Sequence, residues 1–214
     1  RLEGEEAVFE LDTGNASAFA LIKSWADAHG LPGARPTAVM RGLYGAGTQQ
    51  IEATFFRLGE ASLGPITYDG ALTSVSDPHG GGDLAGLLGN PVFARCEAVV
   101  FDVAGRTLWL EGKCDRPQSE RGLGWRLAKR EDGQHAGRPW VIGGVLPGGS
   151  AEAAGLRAGD RLLEVAGKPA TLDVEPIFRL EEKSEGAKVP VVVLRDGAKV
   201  RVVMVVKRAL AGAR

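Results

Sequence analysis

Gly149-Ser150-Ala151-Glu152-Ala153-Ala154-Gly155-Leu156-Arg157-Ala158-Gly159-Asp160-Arg161-Leu162-Leu163-Glu164-Val165-Ala166-Gly167-Lys168-Pro169 is the stretch that decides the C-terminal half of this chain. Its small residues suit a short helix that Gly155 stops. Gly159 marks a turn, Asp160 to Val165 reads as a strand, and Ala166-Gly167 turns the chain again. Just upstream, Val141-Ile142-Gly143-Gly144-Val145-Leu146-Pro147 falls in a strand-like segment running from Arg138 to Leu146. Before it, Gly122-Leu123-Gly124-Trp125 leads into an apparent strand, Trp125 to Ala128. Downstream, Lys188 to Arg195 and Lys199 to Lys207 are strand-like and separated by a Gly-containing turn. A helix is expected from about Asp173, with Pro176 in its first turn and Ile177, Phe178 and Leu180 facing inward.

The same punctuation runs through the whole chain. With 31 Gly and 11 Pro among 214 residues, most apolar runs are short, which predicts a mainly β protein with a few short helices. That length suits two domains of about 100 residues each. The polar stretch Asp115 to Arg121 marks the boundary, giving domains 1–116 and 117–214. In the first, Glu97 to Val103 should turn through Ala104-Gly105 into Arg106 to Leu110 as a hairpin. Phe19, Ile22, Trp25 and Ala26 recur at helical spacing, so Ser17 to Ala28 is expected to be a helix stopped by Gly30.

The segments quoted above closely resemble PDZ domains over residues 119 to 207: a Gly-Leu-Gly-aromatic loop, a small-residue helix, Gly-Leu, then Gly-Asp before a strand. The resemblance implies a PDZ-like β-barrel that binds peptides. Successive backbone N–H groups at Leu123, Gly124 and Trp125 would make a nest for a terminal carboxylate. The peptide would add as a strand between Trp125-Arg126-Leu127 and the helix carrying Ile177 and Phe178. One of Leu123 and Trp125 is expected to point into the core.

In the first domain, the alternating strand Val8-Phe9-Glu10-Leu11 runs straight into Asp12-Thr13-Gly14. A glycine there lets a backbone N–H approach the carboxylate. Further on lie Gly86-Leu87-Leu88-Gly89-Asn90, the short segment Pro91 to Arg95, and the hairpin. Over residues 5 to 112 this order resembles the retropepsin-type aspartic proteases, particularly their bacterial branch. The resemblance implies one half of an acid-protease β-barrel, with Asp12 as catalytic carboxylate and Thr13 and Gly14 as its supports. Leu87-Leu88-Gly89 would be the packing strand, and Gly42 to Gly47, with Tyr44, Gly45 and Gly47, the flap. Two carboxylates sharing a proton are needed for that chemistry. The motif occurs once, so the second half is expected from a homodimer mate or from a missing N-terminal domain. The chain opens with Arg1 rather than Met, as a mature product or a fragment would.

These readings imply an aspartic endopeptidase acting on a polypeptide substrate, with the C-terminal module docking peptide C-termini. The competing expectation is a catalytically inactive scaffold that uses the peptide groove alone. Serine hydrolysis has no nucleophile elbow and no suitable pairing of Ser17 with His29. A net charge of -1 without a basic run argues against nucleic acid, and no apolar run is long enough to span a membrane. His29, His79 and His135 stand at no ligand spacing to Cys96 and Cys114, so no metal and no cofactor is expected. The two cysteines lie equidistant from Gly105. They could form a cross-strand disulfide or remain free buried thiols, and a one-residue slip would place them on opposite faces. By resemblance, the setting is extracytoplasmic, the periplasm or outside the cell.

Overall fold

A computed structural model describes residues 1–15, 17–43, 50–77, 83–115, 123–129, 137, 140–171 and 184–210. In chain order its elements begin with β1 (Val8–Asp12), β2 (Phe19–Ile22), α1 (Lys23–Ala28), β3 (Ala38–Leu43), β4 (Gln50–Arg57), β5 (Glu60–Leu63) and β6 (Ile66–Asp69). Next come β7 (Leu72–Ser76), β8 (Leu84–Gly89), α2 (Asn90–Phe93), β9 (Ala98–Asp102), β10 (Thr107–Glu111), β11 (Trp125–Lys129) and β12 (Trp140–Val145). The chain closes with α3 (Ser150–Ala153), β13 (Arg161–Val165), β14 (Lys168–Pro169), β15 (Lys188–Arg195) and β16 (Ala198–Val205). The expected mainly β character, with few and short helices, is present.

Two compact units form, and neither is continuous in sequence. The first comprises Arg1–Thr37 with Phe55–Ser119, the second Ala38–Thr54 with Glu120–Arg214. One six-stranded sheet has the order β1-β8-β2-β7-β4-β3. The other runs β11-β12-β13-β15-β16, with β14 paired to β13.

In the first unit β8 lies between β1, to which it is parallel, and β2, to which it is antiparallel. Phe19, Leu21, Phe56, Ile66, Tyr68 and Leu88 are central to its core. Tyr68 is buried to 1% exposure, and its hydroxyl donates to the Val92 carbonyl oxygen at 2.9 Å. Burial pushes that phenol far above its ordinary pKa, against the opposing pull of Arg95, whose guanidinium stands 5.0 Å from the ring centre.

The helix expected over Ser17 to Ala28 begins only at Lys23. Phe19–Ile22 forms β2 instead, and all four residues are buried. They pair with β8 on one side and β7 on the other, and because alternate side chains on both faces are buried the strand reads as an unbroken apolar run. The helical spacing of Phe19 and Ile22 with Trp25 is therefore incidental. Tertiary burial outweighs a local periodicity worth a few tenths of a kcal/mol per residue.

Cys96 and Cys114 are joined by a disulfide. The hairpin pairs Asp102 with Thr107 and Ala98 with Glu111, so it is out of register by one residue from symmetry about Gly105. Beyond the strands the Glu97 N–H donates to the Lys113 carbonyl oxygen, and the register is restored. Gly112, at φ 71°, absorbs the extra residue in a left-handed conformation that a side chain would disfavour. The slip that would separate the two cysteines is cancelled before it reaches them.

Unfolded without reductant, the chain should show no titratable thiol, and reduction should expose both. Replacing both cysteines by serine should lower the stability of the first unit by about 3 kcal/mol, read from urea unfolding.

Candidate functional site: the Leu123–Trp125 loop and the β11 edge

The loop opening the second unit is held from behind by its carbonyl groups. Leu123 is 1% exposed and belongs to the core with Ile142, Leu162, Val191 and Met204. Its carbonyl oxygen accepts from the Ala151 N–H at 2.9 Å, and the Gly124 carbonyl oxygen accepts from the Leu146 N–H at 2.7 Å. In a trans peptide the N–H points opposite to the carbonyl of the same unit. The Gly124 and Trp125 N–H groups are therefore turned away from these partners. Gly124 has φ 71°, and a Cβ on it would stand 2.9 Å from the Gly149 Cα. Both the backbone conformation and the space require glycine.

Trp125 is half-buried and packs against the core from its margin, so Leu123 is the residue that points inward. β11 ends the sheet: β12 pairs with it on one side, and no strand among those described pairs with it on the other. A free edge beside outward-turned N–H groups is the arrangement that receives an extended peptide as an added strand. Ile177 and Phe178, expected on the facing helix, lie outside the described residues, as do the flap residues Tyr44, Gly45 and Gly47.

One pair behind the loop was not legible as a pair. Asp160, 2% exposed, accepts two hydrogen bonds from Arg195, Nε to Oδ1 and Nη2 to Oδ2, each 2.7 Å. The Arg157 N–H donates to the same carboxylate at 2.9 Å, and Arg195 Nη2 also reaches the Gly155 carbonyl oxygen. The hydrogen bonds to Asp160 raise the guanidinium pKa above its ordinary value, burial opposing them. The signal lay in strand pairing: Arg161 opposes Leu194, which brings the preceding residue of β13 to the following residue of β15.

In the first unit Asp12 ends β1 opposite Gly89 of β8. Its Oδ1 accepts from the Gly14 N–H at 2.9 Å, as the sequence suggested for that glycine. The Asn90 N–H donates to the Asn15 carbonyl oxygen, and the Gly89 N–H to that of Ala18. The approach is close enough that a Cβ on Gly89 would lie 1.9 Å from the Ser17 carbonyl oxygen. The structure thus brings Asp12, Thr13 and Gly14 together with Leu87-Leu88-Gly89. Thr13 and Gly14 are exposed and Asp12 is half-buried. Among the described residues no group of three or more His, Cys, Asp or Glu side chains could hold a metal ion.

Residues 141–195 match the family model described as PDZ domain. The second unit carries a PDZ domain. The magnetosome formation protease MamE of Paramagnetospirillum magneticum is 43% identical over 67 residues, which are 31% of this chain and 9% of that relative. The match therefore spans about a tenth of the curated relative's length. Among solved structures, the PDZ domain of EpsC from Vibrio cholerae has a TM-score of 0.30 at 20% identity, covering 39% of this chain and 78% of that one. A serine endoprotease from Yersinia pestis has a TM-score of 0.38 at 18% identity, covering 81% and 62%. The HtrA-type protease AlgW with a decapeptide has a TM-score of 0.40 at 20% identity, covering 80% and 60%.

The expected Asp–Asp dyad is corrected by these findings. The proteases to which the chain is similar are named as a serine enzyme and an HtrA-type enzyme, and MamE simply as a protease. Among the described residues the Asp12 carboxylate has one hydrogen-bond partner, its own Gly14 N–H, and no second carboxylate shares it. The described histidine offers no replacement, since His29 stacks on Trp25 at 3.8 Å between ring centres and places Nδ1 against the Trp25 carbonyl oxygen.

Asp160→Ala should destabilise the second unit by about 3 kcal/mol, because it removes the buried acceptor for three donors. Urea unfolding followed by tryptophan fluorescence, with Trp125 and Trp140 both in that unit, will check it. An unchanged midpoint would show the pair to be dispensable.

Proposed function

We propose that the chain works through its PDZ groove, capturing extended peptides that end in a free carboxylate, as the recognition part of a proteolytic protein. The observation that carries this reading is the paired constraint at Leu123 and Gly124. Their carbonyl groups are bonded inward, so the N–H groups of Gly124 and Trp125 are turned outward at the start of β11, whose other edge no described strand covers. The proteolytic setting is supported by the naming of MamE as a protease and of AlgW as an HtrA-type protease with a bound decapeptide. Binding without catalysis by this chain is the form of the proposal that its own residues support.

Two finer readings accompany it. For the first unit we propose a retropepsin-like half as a fold only, supported by β1 running into the Asp12 turn with Gly89 beside it. An experimental structure in which β1 pairs elsewhere than with β8 would remove that reading. An extracytoplasmic setting, in the periplasm or beyond the cell, is supported by the Cys96–Cys114 disulfide, since such bonds persist in oxidising compartments. Alkylation of both thiols in freshly lysed cells of the source organism would count against it.

The groove is tested with one peptide in two forms. A free-carboxylate peptide should bind the full chain at least about tenfold more tightly than its amidated counterpart, a difference of about 1.4 kcal/mol. Gly124→Val should abolish that preference, because the new side chain meets the Gly149 backbone and the conformation resists it. Equal binding of both forms to the wild-type chain would show that the loop holds no carboxylate.

A further inference from the structure

The edge that would receive a peptide depends on an irregular pairing behind it. Trp125 opposes Val145 and Arg126 opposes Gly144, but Leu127 opposes Ile142, so Gly143 has no partner on β11. The bulge has a visible purpose. Trp125 and Leu127 on β11, and Ile142 and Val145 on β12, all pack on the same core. The first two are spaced as a regular strand allows, the second two only with one residue inserted.

Neighbouring glycines specify such a bulge poorly. Gly143 and Gly144 have no side chains to anchor one to a face, and register is weakly determined in glycine-rich strands. Something outside the pair must select which residue is left unopposed. β3 lies against β12 and β11, and its segment Ala38–Thr54 belongs to the second unit. A Cβ on Gly42 would stand 2.5 Å from the Gly143 carbonyl oxygen and 3.0 Å from the Gly144 Cα. A Cβ on Gly144 would stand 2.8 Å from the Arg41 carbonyl oxygen and 3.1 Å from Cγ and Sδ of Met40. Met40 is 6% exposed and Ala38 8%, yet neither belongs to the hydrophobic core of the PDZ sheet.

We infer that Met40, Gly42 and the main chain of the intervening residue 41 in β3 form a positioning element for the peptide groove, fixing the Gly143 bulge and with it the register in which β11 presents its edge. This rests on the groove reading above. The role is positional, since β3 acts on the peptide through β12 and β11. Backbone-to-backbone approach suits it: the atoms that would meet a Cβ on Gly42 are main-chain atoms with no rotamer to escape through. Moving the unopposed position to Gly144 would leave Val145 opposite Trp125 and Ile142 opposite Leu127, so the core alone does not choose between the two glycines and the clamp does.

The test uses the full chain carrying Gly42→Ala, which forces backbone against backbone, or Met40→Ala, which opens space beside Gly144. Arg41→Ala serves as control, because it keeps the main chain at that position and removes only a side chain in a mostly exposed ion pair with Glu52. Amide hydrogen exchange is followed without peptide, and affinity is measured for the free-carboxylate peptide. With Gly42→Ala, exchange in Trp125–Lys129 and Trp140–Val145 should rise about tenfold, as should the peptide Kd, while amides of Val189–Val193 stay protected. Met40→Ala should move both in the same direction by less, and the control should match wild type. Unchanged exchange in Gly42→Ala would overturn the inference. So would a rise spread equally over β15, which marks a merely structural contact, or a local rise with unaltered peptide affinity. If the wild-type chain binds no carboxylate-ended peptide, the groove reading fails, and the exchange measurement alone then decides whether β3 sets the register.

Discussion

One unopposed glycine governs the geometry of the second unit. Because Gly143 has no partner, two strands of unequal residue spacing can face Trp125, Leu127, Ile142 and Val145 to one core. The rest follows from that alignment. Leu123 enters the core at the end of the same strand, and its carbonyl and that of Gly124 meet Ala151 and Leu146. The outward direction of the next N–H groups is then fixed by peptide planarity alone. On the far side, the Asp160–Arg195 pair ties β13 to the end of β15 and to the turn after α3. The groove is thus a by-product of how a β sheet accommodates one surplus residue.

The first unit uses glycine in another way. Gly89 admits the carbonyl groups of Asn15 and Ser17 to distances that any side chain would forbid, and so lets the Asp12 turn settle onto β8. A carboxylate held this firmly looks like a preorganised acid. Preorganisation supplies only orientation, however. Proton sharing needs a second acid at contact distance. The turn is a shape before it is a chemistry.

The sequence made the PDZ domain legible because its turns demand particular residues. Gly124, Gly155 and Gly159 each adopt positive φ, so the motif is written in backbone conformation as much as in side chains. The Asp12-Thr13-Gly14 turn was legible for a different reason: its glycine keeps clear of the carboxylate that its own N–H binds, since a Cβ there would stand 3.3 Å from Asp12 Oδ1. What failed were inferences needing distant partners. Phe19–Ile22 carries helical spacing and becomes a strand because β7 and β8 enclose it. The dyad was extended from a motif that describes only one of its two members. The disulfide stayed open because hairpin register depends on a single glycine at 112 that sequence spacing does not reveal. The clamp on Gly143 was invisible, since the residues that supply it lie far upstream, in a segment read as part of another domain.

That distant contribution bears on how the chain acquires its structure. During synthesis, at about 5 to 20 residues per second, Ala38–Thr54 emerges many seconds before the strand it must back. Until β12 appears, Met40 lacks the Gly144 surface it packs beside, and Arg1–Thr37 must join Phe55–Ser119 across the intervening segment. Contacts of such long sequence separation slow folding more than they weaken the product, because the entropy of closure is lost before any burial repays it. The first unit, whose last residue is Ser119, can therefore be completed while the second still waits for the strands that follow Glu120.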